Sequence, residues 1–515
     1  METLGSVSTL RSRRIILFPL PFQGHINPML QLANILHTRG FKITIIHAEY
    51  NSPNPSNYPH FAFKPIKDRF SEIADQLATN RDGTYFARYL NKSCVDSFID
   101  CLAELLAEPG EERVACVITD ACFYFTQAVA DDLKLPRIVL RTSGLGCTLA
   151  CDALPFCSKK ACFYLTKQDS DYEASVPEFP LLKFKDITNI TINPQGMGDL
   201  TSNILNQMRA SSGIIWNTFK ELEESDLETL SQDFQVPSFT LGPFHKYFPA
   251  SGSSLIEQDR TILSWLDKQP PKSVVYVSFG SVAHITKSEF QEVAHGLANM
   301  GLPFLWVVRP GMVVGSEWLE ALPEKFLERM GERGRIVKWS PQQEVLAHPA
   351  TGCFWTHNGW NSTLESICEG VPMICSPCLA DQPINARYVS DVWKIGVLLE
   401  DGFERVGIKM AIKRVMMDKE GEEMRERVSS LKEKSVNVWQ IQWHVTKLQK
   451  QWSCGAFGDY MGLYDERSSK GDPEGGPGER DREIRFKADV TRLAEVQQDF
   501  RQALTASVKK RETQQ

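Results

Sequence analysis

Short runs rich in β-branched residues alternate along this chain with longer stretches of helical periodicity. Parallel strands need a crossover helix between them, so this alternation is typical of parallel sheets with helices on both faces. The pattern predicts strands at residues 14–18, 42–47, 114–119, 137–140, 273–279, 303–308, 335–338, 352–355 and 372–375. It predicts helices between them, including residues 26–38, 85–106, 287–299 and 361–369.

The length of 515 residues allows two domains, each with its own hydrophobic core. Residues 242–254 contain four glycine or proline and three serine residues, a composition typical of a hinge. We therefore predict an α/β protein with two facing, doubly wound Rossmann-like domains at residues 1–245 and 246–435, and an atypical C-terminal tail at 436–515. Such sheets bind ligands at the carboxyl ends of their strands, so the site is expected in the cleft between the domains.

The charge balance favours a small-molecule partner. With 57 basic and 64 acidic residues the net charge is -7, which gives no basic field for nucleic acid or an anionic membrane. No apolar run approaches the roughly 18 residues of a membrane span. Arg11, Arg13 and Arg14 before the apolar residues 15–22 imitate a signal peptide, but that run contains two prolines and no cleavage site follows it. We expect a cytoplasmic protein without a membrane span.

Metal and cofactor motifs are weak or missing. The 13 cysteines form no disulfide framework and are expected to be reduced core residues. Cys375 and Cys378 have zinc-ligand spacing, but no second ligand pair follows them. Asp169 and Asp171 have the spacing of an acidic metal triplet, but they lie in a polar run and not behind a strand. No G-x-G-x-x-G follows the first strand and no P-loop lysine is present, so we predict neither a metal nor a bound cofactor.

Residues 339–382 combine features suited to a nucleoside diphosphate. Residues 357–362 form a turn from strand to helix, so Asn361, Ser362 and free backbone N–H groups face a ligand with the positive end of the helix dipole. Glu365 lies one turn further on the same face, where it can accept hydrogen bonds from a ribose diol. Trp339 offers a flat face to a uracil ring, and Gln342 follows as an amide partner. Each residue alone fits a core, capping or loop role, but their joint order favours a binding site.

A second constellation suits proton transfer. His25 lies where the first predicted strand turns into its helix, and Asp120 directly follows the strand at 114–119. Both positions belong to the carboxyl edge of one sheet, so the side chains can approach each other. A histidine backed by a carboxylate can take the proton of an attacking hydroxyl, with the carboxylate fixing the tautomer. Taken alone, His25 has the alternative role of a helix N-terminal residue with a local hydrogen bond, and Asp120 is better explained as a turn residue at a strand end.

Residues 339–382 closely resemble the signature box of plant secondary-product UDP-glycosyltransferases. The similarity extends from about residue 11 to about 434 and includes PFQGHINP at 21–28, WLD at 265–267, VYVSFGS at 275–281 and FLWVVRP at 304–310. It implies a GT-B fold and a metal-independent, inverting transfer of glucose from UDP-glucose, the co-substrate, to a small lipophilic acceptor, giving a β-linked product. It implies catalytic roles for His25 and Asp120, and donor contacts by Ser281, Trp339, Gln342, His357, Trp360, Asn361, Ser362, Glu365, Asp381 and Gln382. Glutamine at the last position accompanies a preference for glucose in the family.

The acceptor pocket is expected in the first domain, at the loop 143–153, the helix near 85–90 and the segment 194–208. Apolar and aromatic side chains there suit a phenolic or terpenoid acceptor, although ordinary core packing is the alternative for each of them. The candidates are Leu145, Leu149, Tyr85 and Leu90, with Phe156, Phe163 and Tyr164 as neighbours. Gly144 and Gly146 stand where relatives often carry bulkier residues, which predicts an enlarged or looser pocket.

The chain departs from the family pattern after about residue 435. The turn and closing helix that brace the first domain in relatives are absent, and a low-complexity linker at 471–478 and a polar helix at 483–510 take their place. That helix can pair with a partner helix or lie against the domain, and we expect a monomer. Two functions follow: an active glucosyltransferase, or a catalytically weak nucleotide-sugar or acceptor binder disabled by the altered tail.

Overall fold

The structure is a computed structural model that describes residues 14–73, 83–108, 114–159, 168–190, 194–248 and 254–452. The chain separates into two compact units, Met1–Glu433 and Lys434–Gln515, and all the strands among the described residues lie in the first. The linker and polar helix predicted at 471–478 and 483–510 lie outside the described residues.

The first sheet has seven parallel strands in the order β3-β2-β1-β4-β5-β8-β9. They are β1 (Arg14–Phe18), β2 (Lys42–Ala48), β3 (Ala62–Ile66), β4 (Val114–Asp120), β5 (Arg137–Arg141), β8 (Gly213–Trp216) and β9 (Ser238–Thr240). A separate antiparallel hairpin joins β6 (Ser175–Val176) to β7 (Phe179–Lys183). The helices of this half are α1 (Gln23–Thr38), α2 (Gly83–Ser93), α3 (Val95–Ala107), α4 (Thr126–Asp132), α5 (Leu145–Lys159), α6 (Phe184–Ile190), α7 (Pro194–Arg209) and α8 (Glu224–Asp233).

The second sheet has six parallel strands in the order β12-β11-β10-β13-β14-β15. They are β10 (Val274–Ser278), β11 (Phe304–Val307), β12 (Gly334–Val337), β13 (Thr351–Thr356), β14 (Met373–Cys375) and β15 (Gly396–Leu398). Its helices are α9 (Thr261–Leu266), α10 (Lys287–Met300), α11 (Phe326–Met330), α12 (Gln342–Ala347), α13 (Trp360–Glu369), α14 (Gln382–Arg387), α15 (Arg405–Met416) and α16 (Lys419–Trp452). A π-helical turn at Tyr388–Val392 follows α14, and single 3-10 turns lie at Pro55–Asn57, Phe70–Glu72, Phe244–Lys246 and Gly331–Arg333.

The central strands are buried on both faces, and their sequences are accordingly mostly apolar. Every residue of β4, β10 and β13 is buried. In the first sheet Phe18 stacks on Phe123 with ring centroids 4.2 Å apart. Burial of such apolar surface, at roughly 25 cal/mol per Å², is the main force that holds each sheet and its helices together.

Each sheet reverses its strand order once, and this places the candidate site. In the first sheet the reversal lies between β1 and β4, and in the second between β10 and β13. Loops that leave adjacent strands in opposite directions open a crevice at the carboxyl end of the sheet. His25 follows β1, and Asp120 is the last residue of β4. In the second sheet, Ser281 follows β10 and His357 follows β13.

The predicted fold class is confirmed: two doubly wound parallel sheets are present. Each predicted strand overlaps an observed one, but the helix predicted at 85–106 is two helices, α2 and α3, which are separated at Cys94. The helix predicted from residue 26 begins at Gln23, so His25 lies in its first turn. The domain boundaries stay a prediction, since part of the proposed hinge, 249–253, lies outside the described residues. No helix within the described part of the chain combines the length and apolar character needed to cross a bilayer.

Candidate active site

A histidine and an aspartate meet at the switch point of the first sheet. Nδ1 of His25 lies 2.7 Å from Oδ2 of Asp120, and Oγ1 of Thr142 lies 2.9 Å from the same nitrogen. The Asp120 side chain has no exposed surface, whereas 26% of the His25 side chain is exposed. The predicted pair is therefore brought together, with the carboxylate behind the imidazole.

The Asp120 carboxylate is held in its ionised form. Its Oδ1 accepts the backbone N–H of Cys122 at 2.9 Å. Burial alone raises the pKa of Asp120, but the neighbouring His25, the hydrogen bonds and the Arg141 guanidinium together lower it below its ordinary value. An ionised Asp120 accepts the Nδ1 proton of His25, which leaves Nε2 as the ring nitrogen with a free lone pair.

The start of α13 has the features of an anion site. Gly359 is its N-cap residue, no side chain caps the helix, and its first turn contains no acidic residue. The first backbone N–H groups of a helix have no intrahelical partner and point along the positive end of its dipole. Asn358 before the cap has a φ of 60°, and the hydrogen bond of its N–H to Thr356 Oγ1 closes the turn that aims this helix end.

Asn361 connects this helix to the loop of the histidine. Its Nδ2 donates to the carbonyl oxygen of Gly24 at 2.8 Å, and its Oδ1 accepts from Nδ2 of Asn217 at 3.3 Å. Gly24 is the residue before His25, so the candidate base and the candidate anion site lie on either side of one hydrogen bond. The sequence predicted Asn361 as a ligand residue and did not predict this bridge.

Trp360 has a different environment from the one expected of a donor contact. Its indole N–H donates to the carbonyl oxygen of Asn217 at 2.8 Å, and the residue is 4% exposed. The side chain therefore packs against the first half of the chain, and the backbone of Trp360 lies at the start of α13. Donor binding by Trp360 stays a prediction.

Three of the predicted donor residues form a hydrogen-bonded group. Nε2 of Gln342 donates to Oγ of Ser362 at 2.9 Å and to Glu365 at 2.7 Å. Gln343, which was not predicted from the sequence, donates to the other Glu365 oxygen at 2.8 Å. Burial, opposed by these two amide hydrogen bonds, raises the pKa of Glu365. Trp339 is half-buried and precedes Gln342 in the sequence, two residues after the end of β12.

His357 and Ser281 lie at the switch point of the second sheet. A β-carbon on Gly280 would lie 2.5 Å from Nε2 of His357, so only glycine allows this approach, and Gly280 has a φ of 74°. Burial lowers the pKa of His357 to about 4. His357 is therefore neutral at pH 7, so it can donate or accept a hydrogen bond but carries no positive charge.

Asp381 and Gln382 begin α14 at the same edge. The side-chain Oε1 of Gln382 accepts hydrogen bonds from the backbone N–H groups of Cys378 and Leu379 at 2.8 and 3.0 Å. Asp381 accepts from Nδ2 of Asn385 at 3.0 Å, and burial raises its pKa despite this bond and the nearby Arg141. These bonds orient both side chains before any ligand binds.

The acceptor candidates divide into buried and accessible residues. Leu90 and Leu145 are fully buried in hydrophobic clusters, so both fit the alternative role of ordinary core residues. Leu149 and Tyr85 are half-buried and keep accessible surface. The side chain of Phe156 and all of Phe163 and Tyr164 lie outside the described residues.

The expected enlargement of the pocket at two glycines is wrong. A β-carbon on Gly144 would lie 2.8 Å from the ring of Trp360, and one on Gly146 would lie 2.2 Å from the ring of Tyr388. Aromatic side chains from the second half occupy the space that larger residues would need. The glycines therefore allow close packing and do not widen the pocket.

One group among the described residues gathers three potential metal ligands: atoms of His25, Asp120 and Cys122 lie within 4.8 Å of one another. The first two already share a hydrogen bond, and burial raises the pKa of the Cys122 thiol, which opposes formation of a thiolate ligand. Cys375 instead accepts a hydrogen bond from Asn358, while Asp169 and Asp171 are exposed turn residues. Independence from metal stays a prediction.

Comparison with known proteins gives a consistent result. A family model described as UDP-glucoronosyl and UDP-glucosyl transferase matches residues 257–437. The chain is 51% identical over 442 residues to UDP-glycosyltransferase 76G1 of Stevia rebaudiana, covering 84% of this chain and 95% of that protein. Os79 from O. sativa, solved in complex with UDP, aligns with a TM-score of 0.68 at 27% identity, over 82% of this chain and 95% of that one. Phytolacca americana UGT2, complexed with UDP-2fluoro-glucose and pterostilbene, aligns with a TM-score of 0.68 at 26% identity, over 90% and 100%.

The fold, the motif residues and these similarities all indicate the same family, and the similarity to the Stevia rebaudiana protein covers 84% of the chain. The resemblance inferred from residues 339–382 is thereby confirmed, and the two sheets form a GT-B fold. The chain belongs to the plant UDP-glycosyltransferase family.

Proposed function

We propose that this enzyme transfers glucose from UDP-glucose to a hydroxyl or other nucleophilic group of a small lipophilic metabolite, with His25 as general base and Asp120 as the residue that orients it. The observation that carries the proposal is the 2.7 Å contact between His25 Nδ1 and Asp120, one residue away from the bridge to the start of α13. This geometry supports a base and an anion site that share one crevice. The solved complexes of the relatives, with UDP and with UDP-2fluoro-glucose, support a UDP-sugar as the donor.

The proton transfer follows from the hydrogen bonds of the imidazole. Nδ1–H donates to Asp120, so Nε2 accepts the proton of the acceptor hydroxyl as its oxygen attacks the anomeric carbon. The bond from that carbon to the UDP oxygen breaks, and the electron pair leaves with UDP. Attack opposite the leaving group inverts the anomeric centre, so an α-linked donor gives a β-linked product.

The departing diphosphate is stabilised by backbone N–H groups at the start of α13 together with Asn361, Ser362 and Ser281. Neutral His357 contributes a hydrogen bond and no charge. The uridine is held by Trp339, Gln342 and Glu365, and the glucose hydroxyls by Asp381 and Gln382. Because these groups can balance the developing charge, we propose that no metal takes part.

The acceptor is a phenol, a terpenoid alcohol or a similar lipophilic molecule. The accessible surfaces of Leu149 and Tyr85 lie on the helices α5 and α2, whose other faces form hydrophobic clusters. An apolar wall with few polar groups suits such molecules. The pterostilbene bound to the P. americana relative is a ligand of this kind.

The test is release of UDP by purified full-length protein with UDP-glucose and a panel of phenols, terpenoid alcohols and carboxylic acids. We expect turnover that EDTA leaves unchanged, and loss of about 10²- to 10⁴-fold in kcat for His25→Ala and for Asp120→Asn. Asp120→Asn favours the wrong tautomer of His25, whereas His60→Ala, which changes an exposed histidine of the same domain, leaves turnover unchanged.

Turnover that EDTA abolishes, or that His25→Ala preserves, contradicts the mechanism. Binding of UDP-glucose and acceptor without product supports the alternative of a binding protein. The anomeric configuration of the product, measured by NMR, tests inversion separately.

A further inference from the structure

A buried glutamate lies where the two halves of the enzyme meet. Glu223 precedes α8 and is 3% exposed, and its Oε1 accepts the backbone N–H of Gly146 at 3.3 Å. Its Oε2 is buried beside the hydroxyl of Thr218, which interacts with the carboxyl group. A buried carboxyl group is costly unless hydrogen bonds compensate for its lost hydration, so its few partners indicate where it acts.

Glu223 acts on the first turn of a helix distant from it in sequence. Gly146 and Leu145 begin α5, and both N–H groups are directed at the carboxyl group. These are helix donors that have no partner within α5 itself. Glu223 thus caps α5 from outside, in the way that an N-cap side chain does from within the chain.

The segment before α5 is enclosed on two sides. A β-carbon on Gly144 would lie 2.7 Å from Glu223 Oε1 and 2.8 Å from the ring of Trp360. Trp360 is the first residue of α13, the helix whose start faces the donor. The main chain at Gly144 is therefore held between the buried carboxyl group and the donor helix.

This enclosed segment leads to the base. Thr142, two residues before Gly144, places its Oγ1 2.9 Å from Nδ1 of His25. A shift in the start of α5 would move Thr142 and the His25 ring relative to the donor. Displacements of about 1 Å at such a point can change a rate by about 10²-fold.

We propose that Glu223 is a positioning residue of the transfer reaction: its carboxyl group fixes the start of α5 and, through Thr142, holds the imidazole of His25 in place against the donor helix. The inference rests on the proposed role of His25 as the base. It adds a residue outside the signature box and outside the catalytic pair.

The protonation state of Glu223 gives this role a measurable signature. Burial raises the pKa of Glu223 to about 8; the Thr218 hydroxyl opposes this shift, Asp226 reinforces it, and the N–H groups of Gly146 and Leu145 oppose it. The groups facing it are the start of α5, the carboxyl of Asp226 on α8, the hydroxyl of Thr218 and the phenol of Tyr388, which is hydrogen-bonded to Asp226. None of these is a cation.

The pKa of Glu223 is raised in the folded protein, so its contribution is complete below the ordinary pKa of a glutamate and is lost as the pH rises through about 8. Above that value a buried charge without a counter-ion lies beside the segment at Gly144, and we expect kcat to fall. Glutamine has the shape of the neutral acid and cannot ionise.

The experiment compares Glu223→Gln, Glu223→Ala and the control Glu224→Gln in full-length enzyme. Glu224 is adjacent but 56% exposed and ion-paired with Lys220. We expect Glu223→Ala to lower kcat by about 10- to 100-fold, with less than about a 3-fold change in the Kd for UDP. Glu223→Gln keeps kcat within about 3-fold at pH 7 and removes the decline near pH 8, while Glu224→Gln retains it.

The outcomes separate this inference from the proposed function. A Glu223→Ala enzyme with unchanged kcat, or a Glu223→Gln enzyme with the same alkaline decline as the wild type, overturns the positioning role. His25→Ala that retains turnover overturns the catalytic base, whereas the Glu223 profiles remain readable. If Glu223→Ala does not fold, the comparison of Glu223→Gln with the wild type across pH 6 to 9 still decides the question, because both retain the capping oxygen.

Discussion

Gly146 presents only a hydrogen atom to the ring of Tyr388. A β-carbon there would lie 2.2 Å from the phenol oxygen and ring, far inside normal contact distance, and Tyr388 is 7% exposed and has little room to move. Both residues border the start of α5, so the fit at one atom affects the alignment of the two halves. The glycine is required here by close approach and not by its backbone conformation.

We predict that Gly146→Ala lowers the free energy of unfolding by about 1–3 kcal/mol, the usual effect of overpacking. The measurement is the midpoint of urea unfolding followed by tryptophan fluorescence. Gly407→Ala is the control: Gly407 lies within α15 with no atom within 4 Å of its would-be β-carbon, and alanine there should raise stability by about 0.5–1 kcal/mol. Equal effects of the two changes would contradict the packing explanation, and Tyr388→Leu should partly rescue Gly146→Ala.

Most of the candidate residues for polar chemistry could be predicted from the sequence, for physical reasons. His25, Asp120 and His357 end or closely follow strands, and strand ends can be predicted from apolar runs. Thr142, Asn217 and Glu223 could not be found in this way, because each acts through a partner distant in the chain. The bond between Trp360 and Asn217, for example, joins residues 143 positions apart.

At the scale of elements, the start of α13 combines two uses of one helix end. Its N–H groups and dipole attract an anion, and its first turn lacks the acidic residue that would otherwise satisfy them. Helix stability and ligand binding therefore oppose each other at this position. A charge that benefits the helix should harm the site.

We predict that Ser362→Asp leaves thermal stability unchanged or raises it, since an acidic residue in the first turn contributes about 0.3–1 kcal/mol. The same carboxylate repels the diphosphate, so the Kd for UDP should rise at least about tenfold, or about 1.4 kcal/mol. Isothermal titration calorimetry with UDP measures this. Ser288→Asp in the first turn of α10, an exposed position, is the control and should bind UDP normally. Undiminished affinity in Ser362→Asp would argue against diphosphate binding at α13.

Most strands were predictable from their apolar runs, including the edge strand β12, whereas β3, β8, β9 and β15 were not. The strands β4, β10 and β13 are wholly buried and mostly apolar. The edge strand β3 contains Lys64 and Pro65, and the edge strands β9 and β15 are three residues long, too short for any period to show. The hydrophobic pattern likewise gives no indication that the helix is interrupted between α2 and α3.

A group of ion pairs joins the two halves of the first unit, the half that contains the first sheet and the half that contains the second. Arg387 on α14 donates two hydrogen bonds to Asp186 on α6, at 2.9 and 3.1 Å, and two to Glu400, at 2.8 and 3.1 Å. Lys185 lies 2.6 Å from Glu400. Burial alone raises the pKa of Glu400, but Arg387 and Lys185 outweigh it and lower the pKa, so this pairing stabilises the fold above the ordinary glutamate pKa and weakens as the pH falls.

We predict that Arg387→Met lowers the free energy of unfolding by about 3–5 kcal/mol, because it leaves the carboxylate of Asp186 buried without a counter-charge. The Arg387 and Asp186 side chains are 3% and 9% exposed, so added salt should change the loss little. Urea unfolding measures the effect. Arg414→Met breaks a pair whose side chains are 46% and 44% exposed and should lose no more than about 1 kcal/mol.

The double variant Asp186→Asn/Arg387→Met distinguishes an uncompensated charge from a lost contact. It removes both charges of the buried pair, and we expect it to recover a large part of the stability lost in Arg387→Met, since a neutral amide costs less to bury than a carboxylate. A double variant as unstable as Arg387→Met would mean that Arg387 acts by packing and by its bonds to Glu400, and that the halves are not held together through Asp186. Recovery of stability with unchanged kcat would show that this ion pair joins the two halves without contributing to the alignment that the reaction needs.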